Sequence, residues 1–361
     1  MIDTAKLSRF SFKVGKYRPP SEGAAASLLI QVTENCPWNR CAFCCLYRNH
    51  KFVYRPVAEV KKDIDQVKAV CDELKKISSQ LGRGGRVTPE VIAALRKNDP
   101  SLSLNPGFIT IVHWLYTGGK TAFLQDSNSL IMRPPELIDL VKYLRKAFPS
   151  IERVTSYARS HTLYHKKLED LKAIRAAGLD RLHVGLETGD DQLLQKIKKG
   201  VTADQHIQAG LKAKEAGFEL SEYFMTDLGG RNRWRPHALN TARVLSEINP
   251  HYVRSRPLVP ICGTPLFEEY AAGALRLSSP HERLHELRLM VQNLNFSGRL
   301  VFDHSMNSWC NQNRRPLFSL DHEGYQFPQQ KDKVIELIEL GLGLEESRHI
   351  HVEELIKYST L

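Results

Sequence analysis

At 361 residues, with 42% hydrophobic and 25% charged residues, the chain has the composition of a soluble globular protein long enough to bury a core without staples. No apolar run reaches the ~18 residues of a membrane-spanning helix, and seven cysteines without a secretory leader exclude a disulfide framework and predict a cytoplasmic address. A formal charge of +11 suits nucleic acid, phosphorylated metabolites, an anionic headgroup or an acidic redox protein, and the basic residues are spread along the chain as on a solubilising surface.

In chain order, short apolar runs predict six strands: 27–33, 121–125, 153–157, 181–187, 219–225 and 252–258. Helical patterns follow them. Leu137, Leu140, Val141 and Leu144 repeat within 136–148, Leu168, Leu171 and Ile174 within 167–177, and Thr202 caps a helix through Ala216 that stops at Gly217. Such alternation predicts an α/β fold with parallel pairing, an open or closed βα barrel. Between the first two strands, apolar residues from Val57 to Ile77 predict a long amphipathic helix over 57–81, broken by the Gly-Arg-Gly-Gly-Arg stretch at 82–86 and read as a lid or partner surface. After 262 the alternation fades into a helical stretch, an irregular region at 303–316 rich in Asn, His and Arg, and a final charged helix over 330–340, together read as a cap on the barrel.

The loop after the first strand reads Asn35-Cys36-Pro37-Trp38-Asn39-Arg40-Cys41-Ala42-Phe43-Cys44-Cys45. Three thiols at C-x4-C-x2-C spacing hold a metal or cluster while leaving one coordination position open for chemistry. Structural zinc requires a fourth ligand, and no second C-x2-C exists: Cys71, Cys262 and Cys310 are isolated, with His50 the only neighbouring alternative. Cys45 is read as a small buried residue.

This triplet, with an aromatic residue before its third cysteine, resembles the signature of the radical S-adenosylmethionine superfamily, with a first gap one residue longer than the usual C-x3-C-x2-C. The likeness extends over about 240 residues, roughly 25–265. Ala122-Phe123-Leu124-Gln125-Asp126-Ser127-Asn128 ends the second strand where relatives carry a Gly-Gly-Glu-like motif, and Ser156-Tyr157-Ala158-Arg159 ends the third. Gly185-Leu186-Glu187-Thr188-Gly189 and Leu258-Val259-Pro260 resemble the coproporphyrinogen dehydrogenase and methylthiotransferase branches. The resemblance implies a partial (βα)6 TIM-like barrel with a C-terminal extension: an N-terminal arm over 1–25, the barrel over 26–265 with a helical insertion at 57–105, and a cap over 266–361. It implies a 4Fe-4S cluster on Cys36, Cys41 and Cys44, and S-adenosylmethionine contacts from Phe43, Gln125, Asp126, Ser127, Ser156, Arg159, Glu187 and Val259, with Asp126 as acceptor for the methionine ammonium. The implied reaction is reductive cleavage to a 5′-deoxyadenosyl radical that abstracts hydrogen from a substrate not identified, fed by a ferredoxin or flavodoxin. RNA, tetrapyrrole, lipid and peptide substrates remain open, an anionic one suiting the charge, and no catalytic residue acting on substrate is assigned.

From another class, a non-catalytic iron-sulfur or zinc module binding nucleic acid through a basic surface predicts aromatics interleaved with lysines on one face, whereas the aromatics fall mainly in strands and loops. His281-Glu282-Arg283-Leu284-His285 imitates a zinc-protease motif, but Ser279, Pro280 and Glu282 form a capping box that accounts for the glutamate. Gly118-Gly119-Lys120-Thr121 imitates the end of a P-loop yet precedes a strand, and reads as a turn. Asp303 to Asn307 and Trp309 to Asn311, with Tyr223, Arg254 and Arg256, are further candidates for substrate contact or for ordinary packing and surface positions.

Overall fold

The structure, a computed structural model, describes Leu7, residues 10–22 and residues 27–358. Of the arm expected over 1–25, residues 1–6, 8–9 and 23–25 lie outside the described residues, as does residue 26, where the barrel is expected to begin. The predicted strands are present as β1 (Ser27–Gln31), β4 (Thr121–Gln125), β5 (Arg153–Ala158), β6 (Arg181–Glu187), β7 (Glu219–Thr226) and β8 (Tyr252–Pro257), with β2 (Thr33–Glu34), β3 (Val53–Tyr54), β9 (Arg299–Val301) and β10 (Tyr325–Gln326) in addition. Eight of them make a mostly parallel sheet in the order β1-β4-β5-β6-β7-β8-β9-β10, the fold of a partial TIM-type barrel. Two compact units divide the chain, one comprising 1–37, 52–157 and 169–181, the other 38–51, 158–168 and 182–361.

In the first unit, β1 pairs in parallel with β4 (Ser27 with Thr121) and β4 with β5 (Thr121 with Arg153). The long helix is Val57–Gln80, and its apolar stripe of Val60, Ile64, Val67, Val70, Cys71, Leu74 and Ile77 is buried. That stripe faces β1 and the helix Pro134–Ala147, so the expected lid is a crossover layer on the sheet. The strand expected to run to Thr33 is interrupted after Gln31. Thr33 and Glu34 turn instead to pair antiparallel with Tyr54 and Val53, and this short ladder closes the base of the cysteine loop. Arg55 fixes the closure, donating to Gln31 O at 2.6 Å and pairing with Asp63 at 2.8 Å.

In the second unit, β8 runs parallel to β7 and β9, while β10 is antiparallel to β9, so the C-terminal segment adds two strands that its short apolar runs had not announced. Capping set the helices as the sequence requires. Thr202 and Ser279 each form a reciprocal capping box, with Gln205 and Glu282 respectively, which confirms that Glu282 starts a helix and builds no zinc-protease site. Gly118 and Gly119 are both left-handed, as a turn demands.

A buried polar cluster ties β7 to the helix Pro280–Asn293. Glu286 accepts from the Asp227 backbone N–H at 2.8 Å, and its other oxygen has no hydrogen-bond partner. Burial, and secondarily the Asp227 carboxylate, push Glu286 from its ordinary 4.5 to about 8, so it is protonated at neutral pH, while burial holds the adjacent His237 down at about 4. Because the folded state holds this proton more tightly than the unfolded chain, its contribution to stability is present at acid pH and is lost as pH rises through about 8. Glu286→Gln is therefore expected to flatten the fall in unfolding free energy between about pH 5 and pH 9, as measured by urea titration at each pH.

Candidate cluster and cofactor site

The cysteine loop owes its path to asparagines. Asn35, Asn39 and Asn49 all adopt left-handed backbone conformations, which asparagine tolerates better than other side chains. Cys44 N donates to Cys41 O at 3.2 Å, a tight turn between the second and third cysteines of the triplet. Arg48 reaches back to donate to Cys44 O at 3.2 Å and Cys41 O at 3.3 Å. The loop is clamped at both ends of Cys41-Ala42: Ala42 N donates to Ile197 O at 2.8 Å, and Leu266 N donates to Ala42 O at 3.0 Å. All four loop cysteines are half-buried. Among the described residues no three His, Cys, Asp or Glu side chains stand close enough to hold a metal ion. The donor set nonetheless has the chemistry of a cluster: three thiols on a clamped loop that carries no carboxylate between residues 35 and 58. Burial raises the Cys45 thiol, which disfavours the thiolate that ligation needs.

In the first unit, Asp126 is 3% exposed. Its Oδ2 accepts from the Asn35 backbone N–H at 3.0 Å and from Gln31 at 3.2 Å, and the Ser127 hydroxyl donates to Asn35 O at 3.0 Å. These two side chains therefore hold the entry to the cysteine loop. Gln125 is fully buried and its amide is taken up by the N-terminal segment: Oε1 accepts from Gly15 N, and Nε2 donates to Gly15 O and Tyr17 O, each at 2.9 Å. Ser156 is also fully buried, donating to Leu124 O and Tyr157 O. These bonds satisfy backbone groups at the strand ends and at the N-terminal segment.

In the second unit, Glu187 ends β6 with a left-handed backbone and accepts from Lys199 Nζ at 2.8 Å. Gly185 makes room for this pair. A Cβ there would run into Glu187 Oε1 and stand 2.9 Å from Lys199 Nζ. Glu222, on β7, is 1% exposed, and its Oε2 has no hydrogen-bond partner. Burial raises Glu222 well above the usual carboxylate range, Lys199 opposing and Glu187 adding to the effect. Arg159 donates to Lys199 O at 2.7 Å and lies 4.8 Å from the Trp38 ring centroid. His206, fully buried against the Ser160 hydroxyl at 2.6 Å, is held far below its ordinary value by burial and by the charges of Lys199 and Arg159. Phe43 packs under the same ammonium, 5.8 Å from its ring centroid, in an apolar cluster with Ala42, Ile197, Leu258 and Val259.

Sequence reading missed Lys199 and Glu222. Glu222 carried a signal, a carboxylate inside a strand buried on both faces, whereas Lys199 sits in a Lys-Lys-Gly turn with no periodicity to mark it. Arg254, one of the substrate-contact candidates, is instead fully buried in an ion pair with Asp303, also donating to Ser221 Oγ and His322 O. Tyr223 lies against His183, with ring centroids 5.7 Å apart, and Arg256 is exposed.

The sequence model of the Radical SAM superfamily matches residues 108–241. Over these residues the chain is similar to the radical SAM superfamily. Enzymes with radical SAM domains use a 4Fe-4S cluster and S-adenosylmethionine, the cofactors that the thiol set of this chain suits. Curated relatives include an uncharacterised methyltransferase of Pyrococcus horikoshii, 25% identical over 170 residues and 47% of this chain, and the heme chaperone HemW of Bacillus subtilis, 27% identical over 135 residues and 37% of this chain. The chain spans 35% of the length of each. Among solved structures, HydG, a maturase of the FeFe-hydrogenase, aligns over 77% of this chain and 50% of its own with 14% identity and a TM-score of 0.45. No helix among the described residues is long and apolar enough to cross a membrane.

Proposed function

We propose that this radical SAM protein is a cytoplasmic enzyme that cleaves S-adenosylmethionine reductively and abstracts hydrogen from an organic substrate, with its barrel over 26–265, a helical insertion at 57–105 and an extension over 266–361. The observation that carries the reading is the clamped loop of three cysteines at C-x4-C-x2-C spacing, held by backbone hydrogen bonds to Ile197 and Leu266 and without carboxylates. When bound to Cys36, Cys41 and Cys44, a 4Fe-4S cluster supplies the electron that splits the sulfonium into methionine and a 5′-deoxyadenosyl radical.

The protein's own residues bind, orient and exclude water. Asp126 and Ser127 set the loop through Asn35, a positioning role that fits their hydrogen bonds better than direct contact with the methionine ammonium. Lys199 and Arg159 supply the cations that a methionine carboxylate needs, while Glu187 supplies an acceptor for amino and hydroxyl donors of the cofactor. Phe43 and Val259 give the apolar wall that keeps water from a radical. An external one-electron donor, a ferredoxin or flavodoxin, completes the reaction. The nucleic-acid-binding alternative is not adopted, since Trp114 and Trp309 are buried and meet Phe148 and Phe318 edge to face inside the fold.

The test is anaerobic reconstitution with iron and sulfide, followed by dithionite and S-adenosylmethionine and detection of 5′-deoxyadenosine by mass spectrometry. Product is expected, and a fully loaded cluster that yields none removes the assignment. Lys199→Met is expected to weaken S-adenosylmethionine binding by at least ~10-fold in equilibrium dialysis, since a buried charge-assisted bond is lost and Glu187 is left uncompensated.

A further inference from the structure

We propose that the basic collar of Arg40, Arg48, Lys51 and Lys198 around Trp38 is the docking surface for a small acidic protein that carries one electron, an inference that rests on the radical SAM reading of the loop. Residues 38–51 contain three of these cations and no carboxylate. Arg40, Lys51 and Lys198 are exposed, and Arg48 is anchored on the carbonyls of Cys41 and Cys44. Positive charge is thus fixed at the cysteine turn itself, where an electron has to arrive.

Trp38 forms the centre of the collar. Its indole N–H donates to Lys198 O at 2.7 Å, and it lies flat on Gly200, where a Cβ would stand 2.5 Å from Trp38 Cζ2. The guanidinium carbons of Arg40 and Arg159 sit 5.2 and 4.8 Å from its ring centroid. An aromatic face so covered offers no bare platform for a nucleic-acid base, which favours a protein partner recognised by charge. Beside Trp38 lies a hollow of about 490 Å³ lined by Leu194, Gln195, Lys198 and Gly200. The one carboxylate in its lining, Asp191, is engaged by the Ala203 backbone N–H at 2.7 Å. A carrier with carboxylates around its redox centre meets complementary charge here, and electron transfer falls so steeply with distance that it has to approach this loop. In the transfer the carrier is oxidised by one electron and the cluster reduced by one, and no atom moves between them.

The experiment uses the reconstituted holoprotein with flavodoxin as probe, reading both its dissociation constant by calorimetry and the rate of cluster reduction by reduced flavodoxin or by dithionite. Arg40→Glu with Lys198→Glu is expected to weaken flavodoxin binding at least ~10-fold at low ionic strength and to slow flavodoxin-driven reduction in step. Dithionite-driven reduction is expected to be unchanged, as is every reading for Lys333→Glu on the terminal helix Lys331–Leu342. Arg40→Gln with Lys198→Gln should fall between, which separates loss of charge from loss of fold. A double reversal that binds flavodoxin as tightly as the parent overturns the docking surface and leaves the radical reading standing. A parent protein that takes up no reducible cluster overturns both.

Discussion

Cys41→Ala is expected to abolish iron uptake and 5′-deoxyadenosine formation together, while Cys45→Ala keeps both. The contrast follows from how the two thiols are held. Cys41 opens the turn that Cys44 closes, its carbonyl is gripped by Arg48, and the next residue is fixed to Ile197 and Leu266. Cys45 lies outside the C-x4-C-x2-C spacing, and burial raises its thiol, so it is the poorer thiolate. Removing a true ligand leaves at most two thiolates of the triplet, and turnover should fall by well over the ~10–100-fold expected for losing a group that only supports a ligand. Iron content and visible absorbance after anaerobic reconstitution read the first effect, and mass spectrometry reads the second. Full absorbance in Cys41→Ala with loss in Cys45→Ala would reassign the second ligand.

Arg283→Ala is expected to cost about 3–5 kcal/mol of folding stability, the range for breaking a buried ion pair by removing one partner. Asp227 and Arg283 are both essentially inaccessible to solvent. Asp227 takes Arg283 Nη2 at 2.8 Å and Nε at 3.1 Å on one oxygen and the Ser278 backbone N–H across both, while Arg283 also donates to Leu258 O at 3.1 Å. The pair thus ties the end of β7 to the segment after β8 and to the start of a helix. Without the guanidinium, the aspartate is left buried, and its pKa, already raised by burial, rises further. Arg283 Nη1 has no hydrogen-bond partner even in the intact pair, and Asn at 227 keeps an acceptor for the Ser278 N–H and tolerates the left-handed backbone there, so Arg283→Met with Asp227→Asn should recover part of the loss. Urea unfolding of the two single variants and the double provides the cycle. A single-variant loss below ~1 kcal/mol would place the pair among ion pairs of surface strength.

The large features were legible because they rest on periodicity and caps. The six main strands are apolar runs, and helix starts at Thr202 and Ser279 follow from residue types that satisfy free backbone N–H groups. β2 and β3 were not legible, since two-residue ladders carry no pattern, and β9 and β10 were hidden in a polar region for the same reason. At the site, the cysteines declare themselves by spacing. The bonds of Gln125 to Gly15 and of Ser156 to Leu124 were not legible, because nothing local marks which distant backbone group a strand-end polar residue meets. Lys199 needed the absent Cβ of Gly185 to be noticed.

The way β9 lies alongside β8 has a practical consequence for anyone shortening this chain. Ending it near residue 265, where the strand-helix alternation fades, would strip β8 of its parallel neighbour and bare the backbone edge that it turns toward β9 as a sticky margin open to other chains. It would also take away Asp303 and the His322 carbonyl, two of the acceptors that hold the guanidinium of Arg254. The segment after residue 265 is thus a seal on the sheet, and a chain ended there is expected to precipitate.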